Sequence, residues 1–278
     1  MTLPKIPVHD FGGEGPRLHF AHANAYTPGC YRQLFKHLTP RYHVVAMEQR
    51  PLWSQEPPES VTGWHDFADD LITCFDQQGW REVIGVGHSL GGIATMIAAA
   101  QRPDLFRALV FIDPVLFPPD FEGMLREQFG ITDFEQAPVV QGARRRRERW
   151  ESRAAAFQHF RPKRVFQLFS DEALWDYVNY GLREDANGEV YTAMSRDWEA
   201  HVYLTSAPNV WPELSQITLP MMGLRAEHSN TLFLDAWEHW ATVHPQAHLL
   251  QMAGVTHLLP MEIPEQVAAA IYHFLATL

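Results

Sequence analysis

The spacing of apolar residues predicts alternating strands and helices over the first 115 residues of the chain. Several short runs of apolar and β-branched residues have the length of buried strands. Between two of these runs, Phe67, Leu71, Cys74 and Phe75 recur at the spacing of one helix face. Such repetition is typical of a parallel sheet with helices on both faces. The predicted strands span residues 17–21, 42–47, 82–86 and 108–112, and the predicted helices span 30–38, 64–80 and 90–101.

This alternation stops near residue 115 and resumes only after residue 206. The segment between them is rich in aromatic residues and helix-like, and its pattern predicts no strand. Beyond it, we predict strands at 220–224 and 247–251 and helices at 231–243 and 264–278. The pattern therefore predicts one mostly parallel α/β core domain, formed by residues 1–114 and 207–278 and interrupted by a helical insertion at 115–206.

Composition excludes some classes of protein. The 278 residues are 46% hydrophobic, which is enough to build a large core and excludes a mainly disordered chain. The net charge of −11 argues against a nucleic-acid partner, because phosphate contacts need a basic surface. Two cysteines are too few for a disulfide scaffold. The absence of a long apolar run predicts no stable membrane insertion, and a cytoplasmic location is expected.

One motif points to a nucleophile. Gly87-His88-Ser89-Leu90-Gly91 has the form G-x-S-x-G and lies between a predicted strand and a predicted helix. A sharp turn there forces the serine into a strained conformation that small neighbours tolerate, and it exposes the hydroxyl above the sheet. We therefore expect Ser89 to be a nucleophile. The structural alternative is a glycine-rich turn that packs the helix against the strand.

A serine hydroxyl needs a base to remove its proton, and His257 is the candidate. It follows the last predicted strand, so it lies at the same edge of the sheet as Ser89, and Pro260 and Glu262 follow it. With these motifs the chain resembles the α/β-hydrolase superfamily, specifically serine esterases and lipases with a helical cap. The resemblance covers nearly the whole chain and implies an α/β-hydrolase fold in which His257 is the general base.

The acid of a catalytic triad is not in its usual place. In most of the superfamily this carboxylate follows the penultimate strand, shortly after a glycine. Here Ala226 stands in the glycine's place, and Ser229 and Asn230 occupy the positions where an aspartate is usual. Glu227 is the nearby carboxylate and remains an alternative acid.

A second location for the acid exists in the superfamily. In the branch that resembles some haloalkane dehalogenases and certain lipases, the acid ends the strand after the nucleophile helix. This chain has Asp113 there, followed by Pro114. We expect Asp113 to orient His257 and stabilise its imidazolium form. The structural alternative for Asp113 is a loop cap before the proline.

The resemblance also implies an oxyanion hole, made of two backbone N–H groups. The loop after the first central strand carries His-Gly-x in the family, and this chain has His22, Ala23 and Asn24. We expect the N–H groups of Asn24 and Leu90 to bind the oxyanion. Asn24 as a simple turn residue is the alternative, and His22 is expected to organise the loop by hydrogen bonds.

The insertion resembles the family's cap, which shapes substrate choice. Between Arg144 and Arg153 it is rich in arginine, with Glu148 and Glu151 interleaved, which favours a solvated helix face over attraction of an anionic substrate or lipid surface. Its aromatic and apolar residues argue as a group for a hydrophobic substrate, although packing within the cap is the commoner use of each one. The candidates are Phe117, Met124, Phe129, Phe166, Leu168, Phe169, Trp175, Tyr177, Met194 and Trp198.

Together these residues predict a serine carboxylesterase or lipase-like enzyme. The substrate is expected to be a small hydrophobic ester or acyl compound, cleaved through an acyl-enzyme with no metal and no organic cofactor. Alternatives with the same triad are a C–C bond hydrolase and a cofactor-free perhydrolase or haloperoxidase. A small-molecule receptor that keeps the fold is an alternative of another class. The oligomeric state stays open.

Overall fold

The strands that carry the site lie in one central sheet. The computed structural model describes residues 5–121, 133–205 and 209–278. Their strands are β1 (Val8–Gly12), β2 (Arg17–Ala21), β3 (His43–Met47), β4 (Val83–His88), β5 (Phe106–Ile112), β6 (Arg149–Trp150), β7 (Leu182–Glu184), β8 (Val190–Thr192), β9 (Met221–His228) and β10 (His248–Thr256). The central sheet has seven strands in the order β1-β3-β2-β4-β5-β9-β10. β1 pairs antiparallel with β3, and the other neighbouring strands of this sheet are parallel.

Helices cover both faces of this sheet. The described α-helices are α1 (Arg32–Leu38), α2 (His65–Gln78), α3 (Leu90–Gln101), α4 (Pro138–Arg145), α5 (Arg153–Phe160), α6 (Asp171–Tyr180), α7 (Arg196–Leu204), α8 (Trp211–Gln216), α9 (Leu234–Val243), α10 (Leu259–Glu262) and α11 (Pro264–Leu275). Successive residues of β5 show the two faces, since side chains alternate along a strand. Leu109 and Phe111 pack in the cluster that contains α2 and α3, whereas Val110 and Ile112 pack in the cluster that contains α1 and α11.

The predicted mostly parallel α/β fold is confirmed, and all six predicted strands occur. Four of them match within two residues at each end, whereas β9 and β10 extend to His228 and Thr256, beyond their predicted ends at residues 224 and 251. β1 was not predicted, because it is a partly exposed edge strand whose polar residues give no clear apolar alternation. The prediction that residues 115–206 hold no strand was wrong. β6, β8 and β7 form a small antiparallel sheet there, built from strands of two or three residues that are too short to show a period.

We refer to residues 115–206 as the cap. Its last helix, α7, is tied to the core by side-chain hydrogen bonds that cross between the two parts of the chain. The Trp64 indole N–H donates to the Val202 carbonyl oxygen at 2.9 Å, and a His201 ring nitrogen lies 2.8 Å from the Val61 carbonyl oxygen. The Asn24 side-chain amide donates to the Glu199 carbonyl oxygen at 3.2 Å. Through this last bond, the cap is connected directly to the loop after β2.

Across the described part of the chain, no helix combines the length and the apolar character needed to span a bilayer. Cys30 and Cys74 are buried free thiols.

Candidate active site

Ser89 lies at a sharp turn between β4 and α3. Its φ of 56° and ψ of −123° lie in a strained region that non-glycine residues rarely adopt. A Cβ on Gly91 would lie 2.1 Å from the Ala21 carbonyl oxygen, and one on Gly87 would lie 2.4 Å from the Gly91 carbonyl oxygen. The two glycines of the motif therefore let the turn pack directly against the backbone of β2 and α3.

His257 follows β10 immediately and is hydrogen-bonded to Asp113. Its Nδ1 lies 2.8 Å from Oδ2 of Asp113, which follows β5. Asp113 is fully buried and has a φ of 40°, a second strained position next to the sheet. The same carboxylate accepts from the Ala226 backbone N–H at 2.8 Å, the Ser229 hydroxyl at 2.7 Å and the Thr231 hydroxyl at 3.2 Å. A buried carboxylate with this many donors is well satisfied and held in one orientation.

Sequence reasoning missed the two hydroxyl groups that support this pair. Ser229 and Thr231 both donate to Asp113 Oδ2, and the Thr231 hydroxyl also lies 2.9 Å from His257 Nδ1. The available signal was the hydroxyl residue at 229, where an acid is usual in the family. The serine side chain is short, and its hydroxyl contacts the carboxylate of Asp113, which follows β5.

Glu227, the alternative acid, is placed elsewhere. It is exposed, and its carboxylate accepts a hydrogen bond from the backbone N–H of Gly254 at 2.7 Å. Gly254 has a φ of 71°, so this contact stabilises a bend within β10 rather than the histidine. The carboxylate that contacts His257 is that of Asp113.

Residues 22–25, which follow β2, are called the β2 turn below. Hydrogen bonds of His22 hold the backbone of this turn in place. The His22 ring contacts the Ala23 carbonyl oxygen at 2.9 Å and accepts from the Gln49 backbone N–H at 3.0 Å. Burial lowers the pKa of His22 to about 4, which keeps the ring neutral and able to accept. Within the β2 turn, Ala25 has a positive φ, of 64°, and Ala23 does not. An alanine in place of the family's glycine at position 23 therefore causes no backbone strain.

These groups meet at a cavity of about 670 Å³ between core and cap. Ser89, His257, Asn24 and Leu90 line it together. Leu90 opens α3, where a helix leaves its first N–H groups without an intrahelical acceptor, so its N–H is available to an anion. The remaining lining residues described include Tyr26, Trp64, Val115, Phe117, Phe134, Val139, Arg164, Val165, Tyr203, His228, Asn230 and Thr231.

Most of the aromatic and apolar residues expected to line the pocket are elsewhere. Of the described candidates, Phe117 lines the cavity. The sequence could not separate these uses, since cap packing and pocket walls require the same apolar residue types. Leu168 and Trp175 are exposed, and Met124 and Phe129 lie outside the described residues. The others pack in the two core clusters, namely Phe166, Phe169, Tyr177, Met194 and Trp198.

The arginines between Arg144 and Arg153 do not form a single helix face. α4 ends at Arg145 and β6 begins at Arg149, so the chain changes conformation within this segment. Several pair with carboxylates of the cap, as in Arg144 with Glu135 at 2.8 Å and the half-buried Arg146 with Glu199 at 2.6 Å. Their charges are engaged within the cap rather than directed at the cavity.

Within residues 5–121, 133–205 and 209–278, no three His, Cys, Asp or Glu side chains are grouped as metal ligands would be.

Comparison with known proteins decides the family. The model of the alpha/beta hydrolase family matches residues 20–270. The chain belongs to the alpha/beta hydrolase family. A 2-(acetamidomethylene)succinate hydrolase from Mesorhizobium japonicum is 24% identical to this hydrolase over 266 residues, 95% of this chain and 89% of the relative.

Solved structures show the same fold. A crystal structure of E-2-(acetamidomethylene)succinate hydrolase superimposes with a TM-score of 0.81 at 22% identity, and covers 98% of this chain and 95% of its own. A carboxylesterase structure from Nitrososphaera gargenis gives a TM-score of 0.70 at 18% identity over 98% of this chain and 94% of its own. Family membership indicates a hydrolase, while the bond that is cleaved differs among relatives.

Proposed function

We propose that this hydrolase cleaves a carboxylic ester through an acyl-enzyme formed on Ser89. The main support for the proposal is the position of Ser89 relative to His257 and the cavity. It sits in a strained turn at the cavity that His257 also lines, and His257 is hydrogen-bonded at 2.8 Å to the buried Asp113. A nucleophile, a base and a group that orients the base are the parts that acyl transfer requires.

Each group has one role in the proposed reaction. His257 takes the proton of Ser89 as the hydroxyl attacks the ester carbonyl, and Asp113 stabilises the imidazolium. The backbone N–H groups of Leu90 and Asn24 donate to the oxyanion of the tetrahedral intermediate. The imidazolium then protonates the departing alcohol. Water attacks the acyl-enzyme, His257 removes its proton, and release of the carboxylic acid regenerates the serine.

The cavity walls indicate what kind of acyl group is bound. Trp64, Val115, Phe117 and Phe134 make much of its surface apolar, which supports a hydrophobic acyl or alcohol part. Arg164 adds a positive charge from the 3-10 turn Arg164–Phe166 of the cap, and none of the described lining residues is an aspartate or a glutamate. A substrate that carries a carboxylate beside its apolar part suits this lining.

Amide hydrolysis is the second candidate. The relative from Mesorhizobium japonicum is named for a succinate that carries an acetamido group, and it is similar to this hydrolase over 95% of the chain. The same Ser89, His257 and Asp113 serve both reactions, because the leaving group of an amide is also protonated by the histidine. Paired substrates, p-nitrophenyl acetate and p-nitroacetanilide, separate the two by their kcat/KM values.

Stopped-flow hydrolysis of p-nitrophenyl esters of increasing chain length tests the proposal. We expect a burst of p-nitrophenol that approaches one equivalent per chain and disappears in Ser89→Ala. Ser215→Ala is the matched control, because Ser215 is an exposed serine that bonds the Pro212 carbonyl oxygen in α8. Unchanged turnover in Ser89→Ala would contradict the proposal.

A further inference from the structure

His88 stands between Gly87 and Ser89 in the motif, and both of its ring nitrogens are hydrogen-bonded. The side chain is fully buried at the end of β4. Nδ1 lies 2.8 Å from the hydroxyl of Tyr31, and Nε2 lies 2.8 Å from the backbone carbonyl oxygen of His257. Tyr31 in turn accepts a hydrogen bond from the backbone N–H of Ala23 at 3.0 Å. One chain of hydrogen bonds thus connects the β2 turn with the loop of His257.

In this chain of hydrogen bonds, the identity of each donor and acceptor follows from the first one. A carbonyl oxygen can only accept, so His88 Nε2 carries the ring proton and donates a hydrogen bond to the backbone carbonyl oxygen of His257. Nδ1 is then an acceptor, and it accepts a hydrogen bond from the Tyr31 hydroxyl. This leaves the lone pairs of the Tyr31 oxygen free to accept the N–H of Ala23. In this hydrogen-bond chain every N–H or O–H group thus faces an acceptor.

Burial holds these groups in the required protonation states. Burial lowers the pKa of His88 well below its ordinary value, with a smaller contribution from the nearby His257, whose ring centroid lies 4.8 Å away. Burial likewise raises the pKa of Tyr31 well above its ordinary value. A neutral imidazole and a protonated phenol are therefore the forms present at neutral pH.

We propose that His88 is a positioning residue that, together with Tyr31, sets the spacing between the β2 turn and His257. The proposal rests on the proposed function, in which the Asn24 N–H binds the oxyanion and His257 transfers the proton. These two groups come from different loops, and Ser89 lies between them. His88 is adjacent to Ser89 in the chain and contacts one loop directly and the other through Tyr31. A shift of about 1 Å between reacting groups can cost about 10²-fold in rate, so this spacing affects kcat.

Variants of both residues test the proposal with p-nitrophenyl acetate as the substrate. We expect His88→Met and Tyr31→Phe each to lower kcat by about 10- to 100-fold while KM changes little. His88→Gln retains most of the activity, because its amide group can donate an N–H to the His257 carbonyl oxygen and accept from the Tyr31 hydroxyl at its own oxygen. The double variant His88→Met with Tyr31→Phe loses no more than the worse single variant, because both residues act through one chain.

His19→Met is the matched control for loss of a buried imidazole. His19 is buried in the neighbouring strand β2, and its Nε2 accepts from the Met47 backbone N–H on β3. We expect this variant to lower the thermal midpoint without lowering kcat. If His88→Met fails to fold, the kcat values of Tyr31→Phe and His88→Gln are compared with that of the wild type instead.

Labelling of the folded proteins with a fluorophosphonate separates this proposal from the proposed function. A wild-type protein that is not labelled at Ser89 contradicts the proposed function and, with it, the role of His88. If the wild type is labelled and turns over, wild-type kcat in His88→Met and Tyr31→Phe overturns the positioning role alone. Additive losses in the double variant, or a His88→Gln variant as slow as His88→Met, overturn it as well.

Discussion

Asp113 and His257 form a 2.8 Å hydrogen bond although β9 lies between their two strands. Asp113 follows β5 and His257 follows β10, so the contact spans the end of β9. The backbone of Asp113 is anchored on that strand, where its N–H donates to the Leu224 carbonyl oxygen at 2.7 Å. Ser229 and Thr231 beyond β9 then complete the surroundings of the carboxylate. The end of β9 thus supports a carboxylate that follows another strand.

The identity of the acid is tested by paired amide variants. Asp113→Asn should lower kcat by about 10³- to 10⁴-fold, because an amide does not stabilise the imidazolium and favours the wrong tautomer. Glu227→Gln should leave kcat near the wild-type value, since Glu227 contacts Gly254. Steady-state kinetics on folded protein measure both. Loss of turnover in Glu227→Gln with turnover kept in Asp113→Asn would reverse the assignment.

The charge of Arg164 should affect which substrate is preferred. Arg164→Gln is expected to lower kcat/KM for mono-p-nitrophenyl succinate by about five-fold, a modest effect because the arginine is exposed. The value for p-nitrophenyl butyrate, which has no carboxylate, should not change. Arg144→Gln is the control, because Arg144 is an exposed arginine paired with Glu135. Equal effects on the two esters would show that Arg164 does not recognise a carboxylate.

The stability of the fold should fall as the pH is lowered below about 6.5. Burial lowers the pKa of His19 to about 3 and that of His22 to about 4, whereas both are near 6.5 in an unfolded chain. Above 6.5 neither state binds the proton. Below it the unfolded chain binds protons that the folded protein excludes, so stability is lost towards pH 4, by up to about 1.4 kcal/mol per pH unit for each histidine.

Urea denaturation at several pH values measures this dependence. His19→Met removes one of the buried imidazoles, so its free energy of unfolding should vary less steeply between pH 6.5 and pH 4 than that of the wild type. Parallel curves for the two proteins would mean that His19 is not held neutral in the fold.

Gly91 should not tolerate even a methyl group. In Gly91→Ala the new Cβ would lie 2.1 Å from the Ala21 carbonyl oxygen, a backbone atom that cannot move without displacing β2. We expect poor folding or complete loss of ester hydrolysis. Gly142→Ala in α4 is the contrasting variant, because among the described residues no atom beyond the adjoining helix backbone lies within 4 Å of the new Cβ, and it should stabilise the helix by about 0.5–1 kcal/mol. Wild-type activity in Gly91→Ala would contradict the packing described at the motif.

The sequence predicted those parts of the fold and site that local pattern determines. The strands of the central sheet were recognised because most of them are continuous apolar runs, whereas β1 is a polar edge strand and β6 has only two residues. Ser89 and His257 are predictable from the sequence because each lies in a motif at the end of a strand.

Contacts between distant segments could not be predicted in the same way. The hydroxyl groups of Ser229 and Thr231 donate hydrogen bonds to Asp113, which is more than 110 residues away in the sequence. No local sequence pattern predicts these contacts. The aromatic residues of the cap pose a related difficulty. Phe117 lines the cavity and Phe166 packs in the core, yet both are apolar residues of one helical insertion.

Mass spectrometry of the acyl-enzyme tests the central claim, that Ser89 is the nucleophile, most directly. Wild-type protein is mixed with p-nitrophenyl acetate, quenched in acid during the burst and digested. We predict one acetyl group on the peptide that contains Ser89, and none on that peptide in Ser89→Ala. An acetyl group found on another residue, or hydrolysis by Ser89→Ala at the wild-type rate, would contradict the account.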